Sequence, residues 1–275
     1  MNRRALGHYA SIALAGAVCT GCFVAEDARP QVGLATDASS KFVHRGMTMV
    51  DKFVLEPQLV VALPTVTGDS LRFTAKGHAN LNSDTGNAWF PDGHAGRFSQ
   101  VDFVADYQRN FGSFAGIDDV TVRGGVFNYV LPNGQEFPNG ERGTTSEVFV
   151  TVSATVLEAT PYISWHYDFD EVRAPYYRGG LTETFDFGKG FSLVLDGSLG
   201  YATSAQSSWM YAIDASGWAD LRGSATLNYQ YDPRTTLSVS ANGSRIVDTE
   251  INDWFQQIDI DADPIWFTFG VAFAF

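Results

Sequence analysis

Apolar and polar residues alternate with period two along most of this chain. The last ten residues show it most clearly. Phe267, Phe269, Val271, Phe273 and Phe275 fall on every second position, with Trp266, Thr268, Gly270, Ala272 and Ala274 between them. Period two is the mark of a strand with two unlike faces. The segment 70–81 repeats it, with Leu71, Phe73, Ala75, Gly77 and Ala79 set against Arg72, Thr74, Lys76, His78 and Asn80. Gly and Pro punctuate the chain at strand-like spacing. The pattern predicts strands over 32–43, 53–63, 70–81, 98–109, 119–130, 146–157, 161–170, 176–187, 191–202, 217–230, 235–245 and 264–275. Most reach the roughly 9 to 11 residues that a tilted strand needs to cross a bilayer.

The connections between these strands alternate in length. Those at 64–69, 110–118, 158–160, 188–190 and 231–234 are mostly short turns, whereas 81–97, 131–145, 203–215 and 246–263 are longer, and 44–52 and 171–175 are modest. Short turns at one end and longer loops at the other are expected of a transmembrane barrel. The fold expected is therefore all-β, a transmembrane antiparallel up-and-down β-barrel of twelve strands (ten as the alternative), with both termini periplasmic. Glu183 breaks the pattern, on a face with Leu181 and Phe185, and predicts a register shift or bulge there. An aromatic last residue in such a strand resembles the closing strand of bacterial outer-membrane barrels. That likeness implies an outer-membrane location, with Phe273 and Phe275 facing lipid and serving the barrel-assembly machinery as a signal.

The N-terminus reads as a targeting segment, 1–22. Arg3 and Arg4 precede a short apolar stretch, 9–18. Cys19-Thr20-Gly21-Cys22 resembles a lipoprotein box, although Cys19 stands where an aliphatic residue is usual. Lipidation at Cys22 and plain cleavage nearby both remain open. Residues 23–275 are expected to form one domain. No cysteine follows Cys22, so that domain has no internal disulfide, thiol nucleophile or cysteine metal site. A net charge of −13 and a pI near 4.6 argue against a nucleic-acid partner. Aromatics at 14% suit girdles at two interfaces, and a mean hydropathy of −0.08 suits an apolar outside around a polar inside. Outside the N-terminus no run approaches the roughly 18 to 20 apolar residues of a spanning helix.

Charged side chains belong inside such a barrel, because at the lipid midplane each costs about 2–4 kcal/mol. Pairing 70–81 with 98–109 sets Arg72 opposite Asp106 and Lys76 opposite Asp102. His78, Arg123, Glu147, His166, Asp168, Asp170, Arg178, Asp196, Asp220 and Arg222 extend a mixed-sign interior. Such a ladder either selects a solute at an eyelet or neutralises and partly fills a narrow lumen. Ser164 and His166 share a face with Asp168, yet residues two apart lie nearly 7 Å apart at the backbone, too far for a ready hydrolase pair. Asp259, Asp261 and Asp263 read as an acidic rim, and the five histidines lack zinc spacing, so neither a metal site nor a cofactor is expected.

Ser39-Ser40-Lys41-Phe42-Val43-His44-Arg45-Gly46-Met47-Thr48, with Pro57-Gln58 beyond, resembles the first strand and loop of the TorF family of outer-membrane porins. Tyr176-Tyr177-Arg178-Gly179-Gly180-Leu181-Thr182 through Phe187-Gly188 is similar to a later strand of that family. The resemblance covers two patches and the strand plan, and it implies location and fold more than activity. The expected function is a monomeric, narrow channel in outer-membrane lipid for an unidentified small solute. A lipid- or lipopolysaccharide-modifying enzyme and a non-conducting barrel are the alternatives.

Overall fold

The computed structural model describes residues 30–65, 69–82, 96–113, 117–132 and 144–275. The targeting segment and Cys22 lie outside the described residues. Twelve long strands close into one barrel: β1 (Gln31–Ser39), β4 (Val54–Pro64), β5 (Ser70–Asn80), β6 (Arg97–Asn110), β7 (Asp118–Val130), β8 (Thr145–Thr155), β9 (Ala159–Asp168), β10 (Pro175–Gly188), β11 (Phe191–Ala202), β12 (Gly217–Asp232), β13 (Thr235–Ile246) and β14 (Ile265–Ala274). Each pairs antiparallel with its neighbours in sequence, and β1 closes the ring by pairing with both β4 and β14. Closure removes the free edges that an open sheet leaves exposed.

The short turns and both strand termini share one end of the barrel. Gly33 lies opposite Ala274, and Gln31 lies opposite Ala62. One two-residue turn there is Lys189-Gly190, both at positive φ (53° and 82°), the twist that suits a hairpin of that length. The longer connections gather at the other end and contain two helices, α1 (Ser204–Tyr211) and α2 (Thr249–Gln257). The Asp248 carboxylate caps α2 by accepting from the backbone N–H of Glu250 and Ile251 at 2.9 and 3.1 Å.

The alternation read from the sequence divides the two faces. In β14, Phe269 is 59% exposed while Trp266 is 4% exposed. Leu59, Phe73, Phe103, Val126, Ile163, Leu195, Leu227 and Val239 continue the apolar outer band around the ring. Aromatics cluster at both of its edges. Tyr177, Tyr201 and Trp218 touch edge-on toward the loop end, and Phe191, Tyr229 and Tyr231 make contact toward the turn end. Glu183 sits on the outer face without any bulge beside it; the irregularity in β10 comes later, between Asp186 and Gly188. Glu183 pairs with Ala159, the first residue of β9 beside a short turn, where the bilayer interface tolerates charge.

One predicted strand is cut short. The segment 32–43 is strand only to Ser39, and Phe42–His44 forms β2, which pairs with β3 (Met47–Val50) in a separate hairpin. Arg45 (φ 46°) and Gly46 (φ 82°) make its tip. Apolar burial favours that departure. Met47, Met49 and Val50 join Met210, Tyr211, Ile246, Ile251 and Phe255 in one buried cluster beneath α1 and α2.

Candidate lumen site

The β2–β3 hairpin enters the barrel and touches the inner wall on several sides. Phe42 stacks on His78 of β5 with ring centroids 4.0 Å apart, and His44 meets Tyr129 of β7 edge-on at 5.4 Å. At the tip, an Arg45 guanidinium N–H donates to Glu147 of β8 at 2.7 Å. The same guanidinium lies 4.2 Å over the ring of Tyr176 in β10. The Tyr211 hydroxyl in α1 donates to the Arg45 carbonyl at 2.6 Å, so a loop helix holds the tip from behind. Gly46 packs where a Cβ would come within 2.8 Å of Asp220 Cβ and Ile246 Cδ1, and its positive φ also suits glycine. Burial disfavours the charge on Arg45, but Glu147, Tyr129 and Tyr176 together outweigh it and the net shift is upward; the guanidinium stays charged. Burial, then the neighbouring Arg45, holds the His44 imidazole well below its usual range, so it is neutral.

Beside the hairpin, Glu147 is 1% exposed and gathers further partners. Tyr129 donates to Oε2 at 3.1 Å, and His166 Nδ1 stands 3.4 Å from the same oxygen. Toward the turn end, Asp106 is shared by two arginines. Arg72 donates to it at 3.1 Å, and Arg123 bonds both of its oxygens at 2.8 Å. On the adjoining wall, Glu56 takes His78 Nδ1 at 2.6 Å, Lys76 at 3.4 Å and Ser39 at 3.2 Å. Farther round, Arg178 pairs with Asp220 at 2.7 Å, and Tyr176 donates to the other Asp220 oxygen at 2.5 Å.

Arg72 and Lys76 stand opposite Asp106 and Asp102 in register, as the strand pairing predicts. Only the first couple is an ion pair. Lys76 reaches back to Glu56, while Asp102 accepts from His78 and Gln100 at 3.1 and 2.6 Å. Asp168 lies inside at the loop-end mouth, where its Oδ1 accepts from the backbone N–H of Asp170 and Val172 and so fastens the β9–β10 loop. Asp170, expected in the interior, is exposed beyond the end of β9. Asp196 accepts from Thr182 at 2.8 Å, and Arg222 lies 5.3 Å over the ring of Trp266. Reading the residues alone missed Glu56, Tyr129 and Tyr176 as lumen groups, and it left Arg45 in a surface loop. The signal for Arg45 was its step into Gly46, which marks a tight turn between strand-like segments.

The Ser164 hydroxyl is engaged with Thr151 at 2.8 Å, and His166 stacks on Phe149. The two side chains share the inward face of β9 but are engaged with different partners on β8. Among the described residues no group of His, Cys, Asp and Glu is placed to hold a metal.

No family model matches the chain, and no curated protein matches its sequence. Solved structures share its fold. The NanC porin aligns over 87% of this chain and 98% of its own at 15% identity, with a TM-score of 0.52. The COG4313 outer-membrane channel from Pseudomonas putida F1 aligns over 90% and 94% at 11% identity, with a TM-score of 0.50. Outer membrane phospholipase A from Escherichia coli aligns over 89% and 92% at 13% identity, with a TM-score of 0.48. The fold is thus the closed antiparallel barrel of outer-membrane proteins.

Proposed function

We propose that this chain is an outer-membrane channel for small polar solutes, narrowed by its own β2–β3 hairpin. The observation that carries this reading is the inner wall. Arg72, Lys76, Asp102, Asp106, Arg123, Arg178, Asp196, Asp220 and Arg222 all face inward, while the outer band is apolar. A barrel built only as a structural element has no need of a charged interior, which costs desolvation wherever water is excluded. Neighbouring opposite signs suit a path for polar solutes of either charge rather than a strongly selective one.

The barrel then lies with its short turns and termini periplasmic and its helical loops outside. Residues 1–22 direct export, Cys22 is a candidate lipid anchor, and Phe273 and Phe275 offer the assembly machinery its recognition strand. The Phe42-Val43-His44-Arg45-Gly46 step supports placement near the TorF family. Ser164 and His166 are lumen-wall residues in this reading, not a catalytic pair. The buried cluster over the loop end also supports a second reading, a non-conducting barrel with a binding role.

Reconstitution into planar bilayers separates the two. Stepwise conductance from heat-modifiable, folded protein is expected, and larger steps after the 41–52 segment is replaced by a short glycine-serine linker. Silence from both folded forms rules out the channel and leaves the binding role.

A further inference from the structure

The hairpin tip does more than narrow the barrel: it fills a site whose chemistry belongs to a cation. Glu147 presents a buried carboxylate, Tyr129 holds its Oε2 from the side, and Tyr176 lays a ring face 4.2 Å from the guanidinium carbon of Arg45. The Tyr176 hydroxyl is fastened to Asp220, so the ring is fixed before any ligand arrives. A carboxylate beneath and an aromatic face above make a cage suited to a planar, weakly hydrated cation. The present occupant is a side chain from the chain's own loop, held by one guanidinium N–H and by the Tyr211 contact to its backbone.

We infer that the Glu147–Tyr129–Tyr176 cage is a binding site for guanidinium-bearing solutes, and that Arg45 is its built-in occupant, which a solute displaces. The inference rests on the channel reading for its route of entry. Its energetic logic is local. If Arg45 leaves, Glu147 loses its cationic partner and keeps only the Tyr129 hydroxyl and the His166 imidazole beside it, a loss that an entering cation offsets. Hydrated sodium or potassium does not restore the ring contact, and a neutral sugar does not restore the charge. A guanidinium restores both. Withdrawal of the hairpin is therefore coupled to a solute that replaces what it removes, and by linkage such a solute favours the withdrawn state.

The test is chemical rescue of Arg45→Ala in detergent. The thermal midpoint of the folded barrel is followed with increasing methylguanidinium chloride, and with sodium chloride at equal ionic strength. The variant is expected to melt below the parent, and methylguanidinium is expected to raise its midpoint saturably, as mass action requires. The double variant Arg45→Ala/Glu147→Gln is expected not to respond. Equal responses to the two salts, or equal rescue of the double variant, overturn the site. If Arg45→Ala does not fold alone, refolding is repeated with methylguanidinium present. A heat-modifiable band only with that cation supports the cage, and no band with either salt overturns it. Bilayer conductance of the same variant tests the channel separately. A conducting barrel that methylguanidinium neither stabilises nor blocks sinks the cage alone. A stabilised but silent barrel upholds the cage and sinks the channel.

Discussion

Arg45 and Glu147 stand 102 positions apart in the chain and meet at 2.7 Å inside the barrel, both almost wholly buried. Removing either partner leaves a charge in a low-dielectric site, whereas removing both does not. Arg45→Ala and Glu147→Ala should each destabilise the folded barrel by about 3–5 kcal/mol. The double variant should cost clearly less than the two added together. Unfolding in denaturant from detergent micelles reads all three, and simple additivity would show that the pair is not coupled.

Gly46 offers a separate check on the seating of the tip. Gly46→Ala places a methyl near Asp220 and Ile246 at a backbone conformation that disfavours side chains. Loss of about 1–3 kcal/mol is expected, the range for overpacking a filled site. An alanine variant as stable as the parent would mean that the tip is not packed against β12 and β13.

The neutral state of His44 predicts a pH dependence. Burial, then Arg45, holds its folded pKa low, with Glu147, His78 and Arg178 also acting on it. Unfolded chain takes up a proton at His44 below about pH 6.5, whereas folded protein resists it. The unfolded state then binds more protons, so stability is full above that pH and falls as the solution becomes more acidic. His44→Phe keeps a ring against Tyr129 and removes the titration. Between about pH 7.5 and 5.5 its melting midpoint should fall less than the parent's. Parallel curves for the two proteins would exclude His44 as a source of the dependence.

Asp106 holds Arg72 and Arg123 together near the turn end. Asp106→Asn leaves two guanidinium groups with no carboxylate between them, and the lumen field there turns positive. Reversal potential across a potassium chloride gradient should shift toward anion preference. An unchanged potential would mean that the Arg72–Asp106–Arg123 cluster does not face the conducting path.

The outer face makes a depth prediction. Phe103→Arg, in the middle of β6 and pointing outward, should cost about 2–4 kcal/mol, whereas Glu183→Gln, beside a short turn, should change stability by about 0–1 kcal/mol. Folding into lipid vesicles, followed by gel mobility before and after heating, compares them. Equal tolerance of both changes would argue against a lipid-facing band at Phe103.

The barrel was legible because period two survives along most of the wall: one face meets hydrocarbon and the other does not. Arg72 opposite Asp106 followed from strand pairing alone. What failed did so for physical reasons. Phe42-Val43-His44 continues the alternation of β1, so local pattern cannot show that the chain has left the wall. The chain leaves the wall after Ser39, the positive φ of Arg45 and Gly46 folds it back as a hairpin, and the buried helical cap favours that placement. Ile251, Trp254 and Phe255 in α2, with Ile258 at its C-cap, follow a helical spacing after the capping Asp248, a readable signal inside a segment taken only as a long loop. Helix α1 has no comparable stripe; its packing against the hairpin is tertiary. Glu56 escaped notice because its partners, His78 and Lys76, come from β5 and show only when the strands are paired.

The hairpin hangs from the wall on short tethers. Ser40 and Lys41 join it to β1, and 51–53 join it to β4, with Lys41 pinned to Asp51 at 2.6 Å and to Asp261 at 3.3 Å. Each extended residue adds at most about 3.3–3.6 Å of reach, and both tethers are anchored at the loop-end rim. Any movement of the hairpin is toward that rim and against the α1–α2 cap packed on it, never through to the short-turn mouth. The arrangement is that of a stopper on a leash: pressure from the turn end pushes it toward release, pressure from the loop end seats it more firmly, and conduction through such a barrel is expected to rectify.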